Sequence, residues 1–242
     1  MSSRQPAPRA RRPRTRMSAA ERREQLIAIA RELFAERGFE GTSVEEIAAR
    51  AGVSKPVVYE HFGGKDGAYA VVVDRETQVL HTSIRAALST PGARSRELLE
   101  RGTMALLEYI ESCPDGFRIL SRDPSSTGTS GEAGASFASI LSDIAGQSEV
   151  LLAKEFARNG QDPKFAGLYA QALVGLVAQT GQQWLDNRQP SREEVARHLI
   201  NLAWNGMAHL KPDPQLVMQT IDARRERRAT SIQAEDSSST RR

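Results

Sequence analysis

From Thr42 to Lys65 the chain reads TSVEEIAARAGVSKPVVYEHFGGK, two short helical segments on either side of a glycine. Two short helices joined by a tight turn need a small residue where they cross and a glycine where the chain reverses, and Ala48 and Gly52 meet those needs. Ser43 with Glu46 three residues on forms a capping box that starts the first segment. Ser54 stands where it would cap the second, and Pro56 falls in the first turn, where a missing N–H costs nothing. Ile47, Ala51, Val53, Val58 and Phe62 supply a small core that fixes the angle between the two. The opposite face of the second segment carries Lys55, Val57, Tyr59 and His61, donors and apolar tips of the kind that meet phosphates and base edges in a major groove. Spacing alone leaves a second reading open, a helical hairpin inside some larger bundle.

The flanks extend the helical pattern in both directions. Ser18 and Glu21 form another capping box, followed by Leu26, Ala30, Leu33 and Phe34 at helical spacing. Gly38 is expected to end that helix as a left-handed cap, with Phe39 folding back as the accompanying apolar contact. A long helix is expected from Lys65 to about Leu88, before Pro91-Gly92. Further helices are expected near 94–112, 115–122, 134–158, 163–187 and 191–209, broken at Cys113-Pro114, Asn159-Gly160 and Gln189-Pro190. No strand alternation and no internal repeat interrupts them, so the expected fold class is all-α.

The formal net charge of +3 conceals an uneven distribution. Residues 1–16 carry Arg4, Arg9, Arg11, Arg12, Arg14 and Arg16 and no acid; taking those six from +3 leaves the rest at −3. With Pro6, Pro8 and Pro13 among the arginines, 1–16 reads as a disordered basic arm that either solubilises the chain or reaches a minor groove or the phosphates. Met17 to Gly64 holds six basic side chains against eight acids, so affinity for a polyanion depends on the arm and on local placement. Asp123 to Gly134 reads as a small-polar loop, and residues after about Lys211 as a polar tail. No stretch approaches the roughly 18 apolar residues that span a bilayer, and the basic N-terminus has no apolar segment of a signal peptide. Cys113 is the only cysteine, which excludes an intramolecular disulfide and fits a reducing cytoplasm. No glycine-rich phosphate loop, nucleophile elbow, HExxH or paired carboxylates argue for an enzyme, and no cofactor or metal site is expected. His81, His198 and His209 are scattered, and His61 has no cysteine or second histidine nearby.

Gly38-Phe39, Thr42-Ser43, Ile47-Ala48, Ala51-Gly52-Val53-Ser54, Tyr59, His61-Phe62 and Lys65, in order and register, resemble the DNA-binding signature of the TetR family of transcriptional regulators over about residues 18–75. The resemblance implies a helix-turn-helix domain at 17–64 between the arm and a helical regulatory and dimerisation domain at 65–210, with 211–242 as tail. It implies that Thr42 and Ser43 contact phosphate at the start of the second helix, and that Lys55 and Tyr59 make contacts from the recognition helix. His61 would touch the backbone at its end, and Lys65 would lie near the phosphates where the fourth helix opens. Pro56 and Val57 become candidates for apolar contact with a thymine methyl. Ala68 and Tyr69 depart from the family pattern, which usually has leucine at the first of these positions, so the packing of reading head on fourth helix is left open.

For the remainder, the resemblance implies a homodimer through the last two long helices, reading a two-fold symmetric operator in double-stranded DNA. Val195, Leu199, Leu202, Gly206 and Met207 make a stripe on the last helix, and Leu173, Leu176, Val177 and Leu185 one on the helix before it. It also implies an apolar inducer cavity between the middle helices, for which Leu106, Tyr109, Phe117, Phe137, Leu141 and Trp184 are candidate lining residues, with Arg118 or Arg122 for an anionic group. GFRILSRD and the later QQWLD resemble actinobacterial members that sense fatty-acyl thioesters, which implies a small hydrophobic or acyl-CoA-like ligand. The expected action is repression by operator occlusion. Two other readings stand beside it: a nucleoid-type protein that coats DNA without sequence preference, and a regulator controlled by a protein partner.

Overall fold

The computed structural model describes residues 17–122 and 137–216. The basic arm at 1–16, the polar loop expected at 123–134 and the tail beyond 216 lie outside the described residues. Among the described residues the chain forms α1 (Ala19–Arg37), α2 (Val44–Ala51), α3 (Lys55–Phe62), α4 (Lys65–Leu88), α5 (Ser95–Ser112), α6 (Pro114–Ser121), α7 (Phe137–Arg158), α8 (Ala166–Asn187) and α9 (Arg192–Ala208). Strands are absent among them, as the sequence leads one to expect. A short 3-10 turn, Pro163–Phe165, precedes α8 where a continuous helix was expected from 163.

Both expected capping boxes form. Ser18 Oγ accepts from the Glu21 amide at 3.2 Å while the Ser18 amide donates to Glu21 at 2.7 Å, and Ser43 and Glu46 repeat the arrangement at 3.2 and 3.0 Å. Ser191 and Glu194 make a third at the start of α9. Two details differ from expectation. Ser54 makes no side-chain cap bond: Pro56 has no N–H, and the Val57 amide is already taken by the Ser54 carbonyl at 3.0 Å. Gly38 has φ 75° but ψ 178°, outside the left-handed helical well. Its N–H still donates to the Phe34 carbonyl at 2.9 Å, and the extended ψ turns the chain so that Phe39 stacks on Phe34 with ring centroids 6.2 Å apart.

Helices α1 to α3 form an N-terminal head, and α4 carries it. The residue that departs from the family pattern is what locks the two together: the Tyr69 ring stands edge-on to Phe34 and to Phe39, each at 5.0 Å, above a fully packed Ala68. Burial pushes the Tyr69 phenol up, and Arg122 partly offsets this. Beyond the head, α5 runs through the centre and packs on α4, α6, α7, α8 and α9, while α7 and α8 lie side by side as a helical hairpin. One continuous apolar core runs from Leu26 in α1 to Ile200 in α9.

The passage from α3 to α4 is close enough to exclude any side chain at Gly67, where a Cβ would stand 1.8 Å from the Phe62 carbonyl oxygen. Backbone cannot yield as a side chain can. Gly67→Ala is expected to destabilise the protein by about 3 kcal/mol in urea unfolding, a cost typical of overpacking; unchanged stability would mean that α4 can move away from α3 freely.

Candidate nucleic-acid interface and ligand cavity

Helix α3 is buried along one side, with Val58 wholly enclosed, and turns Lys55, Pro56 and Tyr59 to solvent. Tyr59 is 54% exposed, which is unusual for an aromatic ring in a packed head. Lys55 pairs with Glu45 of α2, and this hydrogen bond holds the Glu45 carboxyl below its ordinary range. Val57 and His61 are half-buried, and the His61 carbonyl accepts from Arg23 at 2.7 Å.

The candidates on the approach to α2 and α4 are more occupied. Thr42 is 2% exposed, and its hydroxyl lies 2.8 Å from the Gly38 carbonyl and 3.2 Å from that of Leu33. That hydroxyl clamps the end of α1 to the start of α2. Ser43 is half-buried in its capping box. Lys65 donates to the Phe39 carbonyl at 3.1 Å with its ammonium 4.1 Å over the Phe39 ring centre, so it staples α4 to the α1–α2 loop. The fourth helix opens without a side-chain cap, which leaves its first amides for another acceptor.

Other bases of the head are paired within it. Arg50 lies 3.3 Å from Glu36, and Arg37 binds Glu46 and, at 3.7 Å, Glu36. The excess of acids seen in the sequence is spent on neutralising these cations locally.

Between head and C-terminal helices sits a buried carboxylate. Glu76 of α4 accepts from Arg31 of α1 at 3.2 Å and from the Tyr109 hydroxyl of α5 at 2.9 Å. Burial first, and then the Glu76 charge, push the Tyr109 phenol far up, so it stays a donor. Gly116 of α6 makes the room: a Cβ there would meet Glu76 Oε2 at 2.1 Å and the Tyr109 hydroxyl at 2.8 Å. Just beyond α6, Arg122 donates to the Phe34 carbonyl of α1 at 2.8 Å.

A cavity of about 620 Å³ lies among α4, α5, α7, α8 and α9, within the range of small-molecule sites. Its inner end is apolar, formed by Ile84, Leu106, Leu141, Ile144 and Val177; its outer end holds Ser95, Glu155, Asn159 and Gln161. Of the candidate lining residues, Leu106 and Leu141 line this cavity. Tyr109, Phe117, Phe137 and Trp184 do not. Tyr109 is held by Glu76; Phe117 is core, edge-on to Phe137 at 5.4 Å; the Trp184 indole donates to the Pro190 carbonyl at 2.7 Å. Arg118 is 3.6 Å from both Asp115 and Asp186, and Arg122 is held by α1. Trp204 of α9, which is not among the candidate lining residues, lines the cavity. Ser95, Gly102, Thr103 and Ser148 interrupt otherwise apolar stripes on α5 and α7, and that loss of side-chain volume was the available signal. Among the described residues no cluster of histidine, cysteine and carboxylates fits a metal ion, and no helix is long and apolar enough to cross a membrane.

The family described as "Bacterial regulatory proteins, tetR family" matches residues 26–69, and "Tetracyclin repressor-like, C-terminal domain" matches residues 83–216. The chain is 30% identical over 196 residues to the HTH-type transcriptional activator FasR of Mycolicibacterium smegmatis, across 81% of this chain and 87% of that protein. The crystal structure of a TetR-like transcriptional regulator from Rhodococcus sp. RHA1 superposes with a TM-score of 0.67 at 26% identity, covering 81% of this chain and 100% of the other. A tetR-family transcriptional regulator from Streptomyces coelicolor gives 0.58 at 25% identity, covering 79% and 82%.

Two substitutions test the joints of this arrangement. Thr42→Val removes the clamp and is expected to cost about 1–2 kcal/mol in unfolding free energy, the usual range for carbonyls left without a donor. Gly116→Ala is expected to cost about 3 kcal/mol, because the new methyl meets a buried carboxylate that can shift only by loosening its bonds to Arg31 and Tyr109. Wild-type stability in the Gly116 variant would show that the joint has slack.

Proposed function

Because the chain belongs to the TetR family of transcriptional regulators, we propose that it binds a two-fold symmetric operator in double-stranded DNA as a homodimer, with an apolar ligand in the C-terminal cavity setting how tightly it binds. In this reading residues 17–64 are the DNA-binding domain and 65–210 the regulatory and dimerisation domain, with 1–16 as arm and 211–242 as tail. The observation that carries the DNA assignment is the solvent-facing set Lys55, Pro56 and Tyr59 on a helix whose other side is buried. Tyr59 contacts the phosphate backbone, Pro56 and Val57 offer apolar surface to a thymine methyl, and Lys55 exchanges Glu45 for a phosphate. Ser43, His61 and Lys65 approach the backbone at the edges of the groove. Thr42 serves the same surface from beneath, by fixing where α2 begins.

Dimerisation is assigned to α8 and α9. Leu168 and Leu202 are 66% and 63% exposed, and a Cβ added at Gly175 or Gly206 would meet nothing. Large apolar side chains beside small residues on two helix faces suit close pairing with a second copy. A dimer sets its two α3 helices about one DNA turn, roughly 34 Å, apart or a multiple of that.

The cavity supports a small hydrophobic or acyl-type ligand, since apolar wall dominates its inner end. Repression by operator occlusion is the simplest outcome of such binding. Activation is the second reading, favoured by the name of the Mycolicibacterium relative; the position of the operator relative to the promoter decides between them, and in vitro transcription from the selected site reads the sign directly.

Selection of bound sites from random duplex DNA tests the proposal. A symmetric consensus is expected, bound at least tenfold more weakly by Tyr59→Ala, whose stability should match the wild type because the ring is exposed. Leu202→Arg is expected to shift sedimentation toward the monomer and to weaken operator binding with it. Uniform binding that collapses with salt would instead support a nucleoid-type coat, since phosphate contacts carry no sequence information.

A further inference from the structure

Glu155 is the only ionisable side chain among the described residues that line the cavity, and it stands at the solvent end. Asn159 and Ala208 beside it are exposed, whereas Ile84, Leu106 and Ile144 at the other end are buried. Its carboxylate is held on both oxygens: Ser95 Oγ donates to Oε2 at 2.9 Å, and Asn159 Nδ2 donates to Oε1 at 3.0 Å. Ser95 is the first residue of α5, whose N-cap residue Arg94 makes no capping bond. The positive end of a helix is the natural seat for an anionic group, and here the protein fills it with its own carboxylate.

We propose that Glu155 is a specificity-determining residue that excludes free carboxylates from the cavity and selects apolar chains ending in a neutral, hydrogen-bonding head. The inference rests on the ligand-binding reading given above. An alkyl carboxylate with its chain in the apolar end would bring a second negative charge to the rim. Among the described residues no cation lines the cavity to compensate it. Arg158 lies 3.7 Å from Glu155 Oε2, but its side chain is 76% exposed and its charge is spread into water. Arg96, over the Trp204 ring at 5.9 Å, is paired with Glu100 at 3.1 Å. A neutral head can accept from Ser95 or Asn159, or donate to Glu155 itself, without that repulsion. The remaining polar neighbour, Gln161, is held by the Leu210 carbonyl at 2.8 Å.

The test uses the full chain and two probes of equal chain length, 1-decanol and decanoate, at pH 8, with dissociation constants from calorimetry and thermal shifts alongside. Decanol is expected to bind at least tenfold more tightly than decanoate. Glu155→Gln is expected to bring decanoate to within about threefold of decanol, chiefly by tightening decanoate; the thermal unfolding transition without ligand reports that the variant is folded, and Glu155→Ala repeats the arm without an amide. Equal affinity of the wild type for both probes overturns the inference and leaves the ligand-binding reading intact. A preference for decanol that survives in both variants also overturns it, by assigning the discrimination to the chain's intrinsic cost of burying a carboxylate. Failure of both probes to bind the wild type removes the cavity as an alkyl site and this inference with it.

Discussion

Glu76 is the carboxylate around which the head and the C-terminal helices are arranged. Taking it out of water is costly, and only partners from two other helices make it tolerable: Arg31 from α1 and the Tyr109 hydroxyl from α5. A buried ion pair of this kind contributes little to net stability compared with an apolar substitute, yet removing one partner from it costs about 3–5 kcal/mol. Its effect is therefore on geometry. Any slide of α4 that strips Glu76 of Arg31 or Tyr109 is opposed steeply. Gly116 belongs to the same constraint, because the space it leaves is the space the carboxylate occupies.

Much of this was legible in the sequence, because the signals were local. Capping boxes at Ser18 and Ser43, glycines at 52 and 63, and prolines at the breaks act within a few residues, and they set the helix limits to within about three positions. Gly38 was read as a left-handed cap although its ψ is extended, since that angle is set by Phe39 stacking on Phe34 rather than by the helix end. The cavity was harder to find. Aromatic residues on α5, α6 and α8 were the obvious lining, but aromatics fill space, and Phe117 and Trp184 are buried in the core. A void arises instead where stripes from α5 and α7 face each other with Ser95, Gly102, Thr103 and Ser148 in place of larger groups, a pairing that single-helix periodicity cannot reveal. Glu76 was invisible for the same reason, since its partners lie 45 residues before it and 33 after.

The reading head is electrostatically economical. Its arginines and lysines are tied to neighbouring glutamates or to carbonyls, so in the absence of DNA it presents little unbalanced positive charge. Exchange of a glutamate for a phosphate is nearly neutral in charge count and gives a modest gain for each contact. Nonspecific affinity of such a surface is low. In the proposed DNA complex, discrimination would rest on the fit of Pro56, Val57 and Tyr59 to the groove, with the arginines of residues 1–16 as the largest source of sequence-independent attraction in the sequence.

Helix α4 joins these two surfaces physically. Ile84 and Leu88 near its end line the cavity, while Lys65 and Gly67 at its start hold the head, roughly 30 Å away at 1.5 Å per residue. A ligand alters DNA affinity only if it binds one placement of α4 more tightly than another, however strong the binding itself. Two features make that possible here. At its start α4 passes α3 so closely that Gly67 has no room for a side chain, and Glu76, midway along, is held by hydrogen bonds to α1 and α5. Under the proposed ligand-binding reading, a ligand that spreads α4 from α5 at Leu88 would tilt the head about Glu76. In a dimer that tilt changes the separation of two recognition helices, and a rigid operator is sensitive to it because both halves must fit at once.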